Sequence, residues 1–185
     1  MSRKSFWFLL ALSGPLVSLA RVSVLDQVAC NDAQARRLGW SAFGVATLDS
    51  GVNEGELWQL VNWSQAARWG VGNAFTFKQV INLSSFRTIE VEVRSDQENA
   101  CSVYLGIESQ RGRTLSTPDS NSVPLTTSWK KAEFPVDSLK DLEAGTPHSF
   151  EEVDWKTVER IKVFFKKPGG TAKERIMFRN VTLVP

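Results

Sequence analysis

Charged side chains occupy alternate positions of the stretch TIEVEVRSD, residues 88–96. Glu90, Glu92 and Arg94 alternate there with isoleucine and valine, and a period of two predicts a strand with one buried face. Glycoside hydrolysis uses a pair of carboxylates, while carboxylate and guanidinium groups also bind sugar hydroxyls in bidentate fashion. The stretch therefore raises two hypotheses, sugar binding and sugar cleavage, beside the simpler one that the face is only solvated.

Two further stretches alternate in the same way, SVYLGIES at residues 102–109 and RIKVFFKK at residues 160–167. If the outer face of a sheet curves, the outward side chains of all three stretches would share one groove. Aromatic rings there would stack on sugar rings, and the two lysines with one arginine would also suit an acidic glycan. The predicted groove residues are Glu90, Glu92, Arg94, Tyr104, Glu108, Lys162, Phe164 and Lys166.

Trp63 and Trp69 are the other predicted ligand-binding residues. Trp63 falls in the turn-like sequence Asn-Trp-Ser-Gln at residues 62–65, and loops at the ends of sandwiches often carry binding sites. The competing interpretation is that both tryptophans fill the core. Trp129 and Trp155 are expected in the core.

Other catalytic chemistry finds little support. The one histidine, His148, lies in the polar stretch GTPHSF. No G-x-S-x-G surrounds a serine, no H-E-x-x-H occurs, and no glycine-rich phosphate loop follows a strand. We therefore predict no catalytic residues and no enzyme activity.

The bulk composition fits one ordinary folded domain. The chain has 185 residues and a net charge of +2, which is enough for one core and too weak a charge bias to predict nucleic-acid binding. Residues 1–20 have a short basic start, an apolar run and Ser-Leu-Ala, as a signal peptide has. We predict cleavage after Ala20, a single domain over residues 21–185 with no membrane span, and a secreted or periplasmic location. An uncleaved N-terminal anchor is the alternative.

The two cysteines, Cys30 and Cys101, are the whole thiol content of the chain. In an oxidising compartment they could form one disulfide. The sequence favours neither this disulfide nor two free thiols.

Strand patterns dominate the rest of the chain. Half-apolar segments are predicted at residues 21–27, 54–61, 66–72, 86–96, 102–109, 125–136, 160–167 and 174–184, with a helix at 31–37 and helical turns at 137–141 and 150–158. Pro135 ends one of these strands because proline cannot donate to a ladder. Short half-polar strands separated by turns predict an all-β, antiparallel β-sandwich rather than an α/β enzyme.

The order of these segments resembles a known family. INLSSF, TIEVEVRSD, SVYLGIES, TTSWKKAEFPVDSL, VDWKTVERIKVFF and RIMFRNVTLV follow one another over residues 81–184. This order, within residues 54–184, resembles the galactose-binding-like jelly-roll domains, which include many carbohydrate-binding modules. The resemblance implies a non-catalytic domain that binds a plant, algal or bacterial polysaccharide.

Many galactose-binding-like domains hold a structural calcium ion, so the resemblance also implies that one is possible here. Members of the family often carry an aspartate before the asparagine of the last strand, where this chain has Arg179 before Asn180. Asp26 is the one carboxylate expected near that end, and a calcium site needs several oxygen ligands. We therefore predict no cofactor.

Two alternatives remain. The first is a protein-interaction domain like the sandwich of the complex I intermediate-associated family, although the early Asp-x-x-Met-Gly-Gly signature of that family is absent. The second is a small jelly-roll lyase or hydrolase that uses Glu90, Glu92 or Tyr104.

Overall fold

The computed structural model describes residues 22–23, 40–44, 46–53, 56–63, 70–98, 101–141, 150–167 and 173–185. The predicted signal peptide and the predicted helix at 31–37 lie outside these residues. In chain order the described elements are β1 (Val22–Ser23), β2 (Trp40–Phe43), β3 (Thr47–Asn53), β4 (Glu56–Asn62), β5 (Val71–Ile81), β6 (Thr88–Ser95), β7 (Ser102–Ser109), β8 (Thr114–Ser116), β9 (Val123–Pro124), β10 (Lys130–Pro135), β11 (Lys140–Asp141), α1 (Glu152–Lys156), β12 (Val158–Lys166) and β13 (Lys173–Val184).

The described strands form two antiparallel sheets. Sheet A has the order β10-β6-β13-β4-β3, and β1 adds to β13; sheet B has the order β11-β8-β7-β12-β5-β2, and β9 adds to β7. Strands consecutive in the chain, such as β6 and β7, lie in opposite sheets, so the chain crosses the sandwich repeatedly. The all-β, antiparallel jelly-roll sandwich is confirmed.

The core lies between the two sheets and follows the period-two patterns. Ile89, Val91 and Val93 of β6 are fully buried, as are Ile161 and Val163 of β12. Phe165 of sheet B and Phe178 of sheet A meet across the interface, with ring centroids 6.2 Å apart. Each alternating strand thus gives one side to the core and the other to an outer face.

The sequence located most strands of the second half of the chain correctly. The strands predicted at 86–96, 102–109, 160–167 and 174–184 correspond to β6, β7, β12 and β13, and the helical turn at 150–158 contains α1. The strand predicted at 125–136 was wrong in its first half, because β10 begins at Lys130. Pro135 does end that strand. No described helix is long and apolar enough to cross a membrane.

The largest error concerns β5, which was predicted only as far as residue 72 but extends to Ile81. Gly72 and Asn73 disfavour a strand by propensity, and tertiary contacts override that preference. A Cβ atom at Gly72 would lie 2.3 Å from the carbonyl oxygen of Val163. A glycine is therefore required where β5 pairs with β12.

Replacing Ile161 with alanine tests the position of the core. We expect the free energy of unfolding to fall by about 2–5 kcal/mol, because the side chain is fully buried and its loss leaves a cavity. Val80 is 41% exposed, so Val80→Ala should change stability by less than about 0.5 kcal/mol. Urea denaturation of both variants checks this, and equal losses would contradict the assigned core.

Candidate functional site

The outer face of sheet B unites five of the predicted groove residues, Tyr104, Glu108, Lys162, Phe164 and Lys166. Tyr104 and Glu108 of β7 stand opposite Phe164 and Arg160 of β12, and Lys162 stands opposite Gly106. On the other side of β12, the partners of these positions in β5 are Gly72, Ala74 and Thr76. We call this surface the sheet B face; its central members are Gly72, Ala74, Thr76, Tyr104, Gly106, Glu108, Arg160, Lys162 and Phe164.

The charged groups of the sheet B face are held by one another. Glu108 Oε2 lies 2.5 Å from Lys162 Nζ, and Glu108 Oε1 lies 3.4 Å from a terminal nitrogen of Arg160. Arg160 also lies 3.2 Å from Glu159 Oε1 and donates from Nε to Thr76 Oγ1 at 3.3 Å. Such half-exposed pairs add little stability, but they orient the polar groups in advance.

A cavity of about 460 Å³ opens on this face, lined by Phe43, Ala74, Thr76, Arg160 and Lys162. Four of these five residues were missed in the sequence. Arg160 had an available signal, since it lies two residues before Lys162 in an alternating strand. Phe43 lies on β2, and Ala74 and Thr76 lie on β5. The local sequence pattern did not predict a strand at any of these three positions.

The aromatic pair of this face is more covered than expected. Tyr104 and Phe164 stack on each other, with ring centroids 5.4 Å apart and an angle of 21° between the planes. They are 7% and 4% exposed, and Lys166 Nζ lies 4.4 Å from the Tyr104 centroid. The expectation of two open stacking platforms was wrong, because each ring covers the other and Lys166 covers Tyr104.

Glu90, Glu92 and Arg94 lie on the opposite side of the molecule, on the outer face of sheet A. The single groove predicted to hold them with Tyr104 and Lys162 was wrong. The reason is topological, since β6 and β7 belong to different sheets and their outward side chains point away from each other.

The sheet A residues are engaged with neighbouring side chains. Glu92 accepts a hydrogen bond from Arg179 Nε at 2.7 Å, and Glu90 lies 3.1 Å from Lys131 Nζ. The guanidinium groups of Arg94 and Arg179 lie over the Trp129 ring, 4.8 and 4.1 Å from its centroid. Trp129 is therefore half-buried on an outer face rather than in the core as expected.

Trp63 is an internal residue rather than an exposed turn tip. It is 5% exposed, and its indole Nε1 donates to Glu174 Oε2 at 2.6 Å. The buried Glu174 carboxylate also accepts from Ser95 Oγ at 2.5 Å and from Cys101 Sγ at 3.3 Å. Burying a carboxylate is costly unless such donors satisfy it. The Trp63 indole is one of these donors, which gives Trp63 a structural role in the interior. Trp69 and His148 lie outside the described residues.

Cys101 is a free, buried thiol in this structure. Burial raises its pKa well above the usual range for a thiol, and the adjacent Glu174 carboxylate raises that pKa further. Cys30 lies outside the described residues, so the Cys30–Cys101 disulfide stays a prediction. Within the described part of the chain, no group of three or more His, Cys, Asp or Glu side chains is placed to hold a metal ion.

Comparison with known proteins identifies the fold. No family model matches the chain, and no curated protein matches it. The structure is similar to a family 11 carbohydrate-binding module from Clostridium thermocellum in complex with a β-1,3-1,4-mixed-linked tetrasaccharide, with a TM-score of 0.57, 14% identity, and coverage of 89% of this chain and 95% of that one.

A second similar structure is the family 30 carbohydrate-binding module of a cellulosomal cellulase of Clostridium thermocellum, with a TM-score of 0.57, 16% identity, and coverage of 90% of this chain and 98% of that one. At these identities the likeness establishes the fold alone. It confirms the resemblance to galactose-binding-like jelly-roll sandwiches.

Tyr104 is the sole tyrosine of the chain, so its ionisation can be followed by ultraviolet absorbance. Burial raises the pKa of Tyr104 above its ordinary value. The folded state disfavours the phenolate. The contribution of Tyr104 to the free energy of unfolding is therefore complete below the pKa of the unfolded chain, about 10, and is lost as the pH rises through the higher pKa of the folded protein. We expect a higher titration midpoint in the native protein than in urea, and no transition in Tyr104→Phe. Equal midpoints would contradict the packing described.

Trp63→Phe tests whether Trp63 is structural. Loss of the indole N–H leaves the buried Glu174 carboxylate short of a donor, so we expect about 1–3 kcal/mol of destabilisation in urea. In native gels that contain soluble polysaccharides, the folded variant should migrate as the parent chain does. A stable variant that loses retardation by a polysaccharide would instead make Trp63 a ligand-binding residue.

Proposed function

We propose that the chain is a non-catalytic carbohydrate-binding domain that binds a polysaccharide along the sheet B face. The observation that carries this proposal is the cavity between Phe43 and the paired side chains of Arg160 and Lys162. It combines an aromatic wall with oriented polar groups on one open sheet surface. That combination suits a sugar, whose ring has apolar C–H faces and polar hydroxyl edges.

The face is low over β5 because Gly72 and Ala74 are small. They lie between Phe43 of β2 and the larger Phe164 and Lys162 of the central strand β12. A flat chain of sugar rings can therefore approach the backbone between the flanking side chains. Thr76, Glu108 and the two cations would bind its hydroxyls, and their mutual contacts reduce the ordering entropy that binding costs.

Charge balance favours a neutral glycan over the acidic one considered from the sequence. Arg160 and Lys162 are the cations of the cavity, and Glu108 and Glu159 lie within ion-pair distance of them. Two positive and two negative charges leave no local excess for a uronate or sulfate. A plant, algal or bacterial polysaccharide is external to its consumer, so this proposal includes the secreted or periplasmic location.

The hydrolase or lyase alternative, which uses Glu90, Glu92 or Tyr104, gains no support from the positions of these residues. Tyr104 belongs to sheet B, whereas Glu90 and Glu92 belong to the outer face of sheet A and pair with Lys131 and Arg179. Tyr104 therefore cannot act with either glutamate on one bond, and both glutamates are engaged in ion pairs.

The outer face of sheet A supports a second candidate function, protein binding. It presents Trp58 and Trp129, each stacked with arginine, together with Arg94, Arg175 and Arg179. Tryptophan and arginine are the residues most enriched in interface hot spots. This surface is the one we would test if no glycan binds.

Glycan arrays and native gels that contain soluble polysaccharides test the proposal, each with calcium and then with chelator. We expect retention by at least one neutral polysaccharide, weakened about tenfold or more by Arg160→Gln or Lys162→Met, because each change removes a charged hydrogen-bond donor. Lys131→Met makes the same change on sheet A and should leave retention unchanged.

Circular dichroism and urea denaturation establish that each variant is folded. Absence of retention in every polysaccharide, or equal losses from Lys162→Met and Lys131→Met, would contradict glycan binding on the sheet B face.

A further inference from the structure

A second cavity, of about 500 Å³, lies at one end of the sandwich, away from the sheet B face. Its lining residues come from the loop between β5 and β6, from the turn after β10 and from α1. They are Leu83, Ser84, Phe86, Arg87, Val136, Asp137 and Trp155. Its volume falls within the range of about 300–1,000 Å³ that is usual for small-molecule sites. We call it the end cavity.

The polarity of the end cavity changes from its floor to its rim. Leu83 and Val136 are buried and form an apolar floor, and the half-buried rings of Phe86 and Trp155 form the walls. The remaining three lining residues, Ser84, Arg87 and Asp137, are exposed and polar. Trp155 was expected in the core, but one side of its ring lines this cavity. The Trp155 ring also contacts Phe150, with ring centroids 4.8 Å apart.

Backbone hydrogen bonds fix the three segments around the end cavity. Leu83 N donates to the Trp155 carbonyl at 2.8 Å, which ties the loop to α1. Val136 N donates to the Arg87 carbonyl at 2.8 Å, which ties the turn to the same loop. The site is thus formed before any ligand arrives, and little ordering entropy is lost on binding.

The rim of the end cavity carries two charged groups, Arg87 and Asp137. Within the described ranges, neither the Arg87 guanidinium nor the Asp137 carboxylate has a hydrogen bond or ion pair with another side chain. The guanidinium group donates several hydrogen bonds and the carboxylate accepts them, so each can bind sugar hydroxyl groups. Tryptophan and phenylalanine walls match the C–H faces of the ring that bears those hydroxyls.

We propose that the end cavity is a second, independent sugar site that takes one or two sugar residues at the end or branch of a glycan. It goes beyond the proposed binding along sheet B, because the two sites share no lining residue. The open face takes an extended chain, whereas the end cavity, bounded by three segments, takes a short end. Such a domain holds a glycan at two places on its surface.

Nuclear magnetic resonance with small glycosides tests this proposal separately from polysaccharide binding. The probes are the methyl glycosides of glucose, galactose, mannose and xylose at millimolar concentrations. We expect at least one to shift the Trp155 indole signal and the backbone amides of Ser84 and Asp137. The same shifts should persist in Lys162→Met, which alters only the sheet B face.

Exposed residues supply the matched variants. Asp137→Asn and Arg87→Gln should each weaken glycoside binding about tenfold or more, since each removes a charged hydrogen-bonding group. Asp119→Asn changes an exposed aspartate in a comparable 3-10 turn and should leave glycoside binding unchanged.

Three results would overturn the proposal. They are the absence of shifts with every glycoside, shifts confined to the sheet B face, and binding of a free amino acid at Arg87 and Asp137 with no response to any sugar. Failure of polysaccharide retention with intact glycoside binding would instead overturn only the function proposed for sheet B.

Discussion

The central position of β12 in sheet B is the constraint on which the rest of the structure depends. It pairs with β5 on one side and β7 on the other over most of its length. Its inward residues, Ile161, Val163 and Phe165, are fully buried. The hydrophobic effect that buries them fixes the outward direction of the alternate residues, since a one-residue slip would exchange the two faces. The polar surface thus depends on the core beneath it.

The same constraint explains the two surfaces of the molecule. Close pairing with β12 requires a glycine at position 72, and Gly72 and Ala74 keep the sheet B face low beside β12. Sheet A has bulky Trp58 and Trp129 at comparable outer positions, and arginines cover them. The sheet B face has a low strip over β5, between Phe43 and the β12 side chains, whereas tryptophan and arginine side chains fill the sheet A face. This difference in shape, more than any difference in charge, supports our proposal that sheet B binds an extended ligand.

The sequence was sufficient for the sandwich but insufficient for the site. Period-two patterns located β6, β7 and β12 and correctly separated inward from outward residues in each, because burial of one face imposes that pattern locally. They carried no information about which strands share a sheet, so Glu92 and Lys162 were placed in one groove although they lie on opposite faces. Trp63 was misplaced for a related reason, since its partner Glu174 is distant in sequence. The end cavity joins three separated segments, and no local pattern could have predicted it.

We propose that glycan contact is confined to the sheet B face and the end cavity. Mapping of backbone amide shifts, with a soluble oligosaccharide taken from whichever polysaccharide binds, tests it most directly. We predict shifts along the outward positions of β5, β7 and β12, centred on Ala74 and Lys162, with the amides around Glu92 and Arg94 unchanged. Shifts centred on Glu92, Arg94 and Trp129 would contradict the account and assign binding to sheet A.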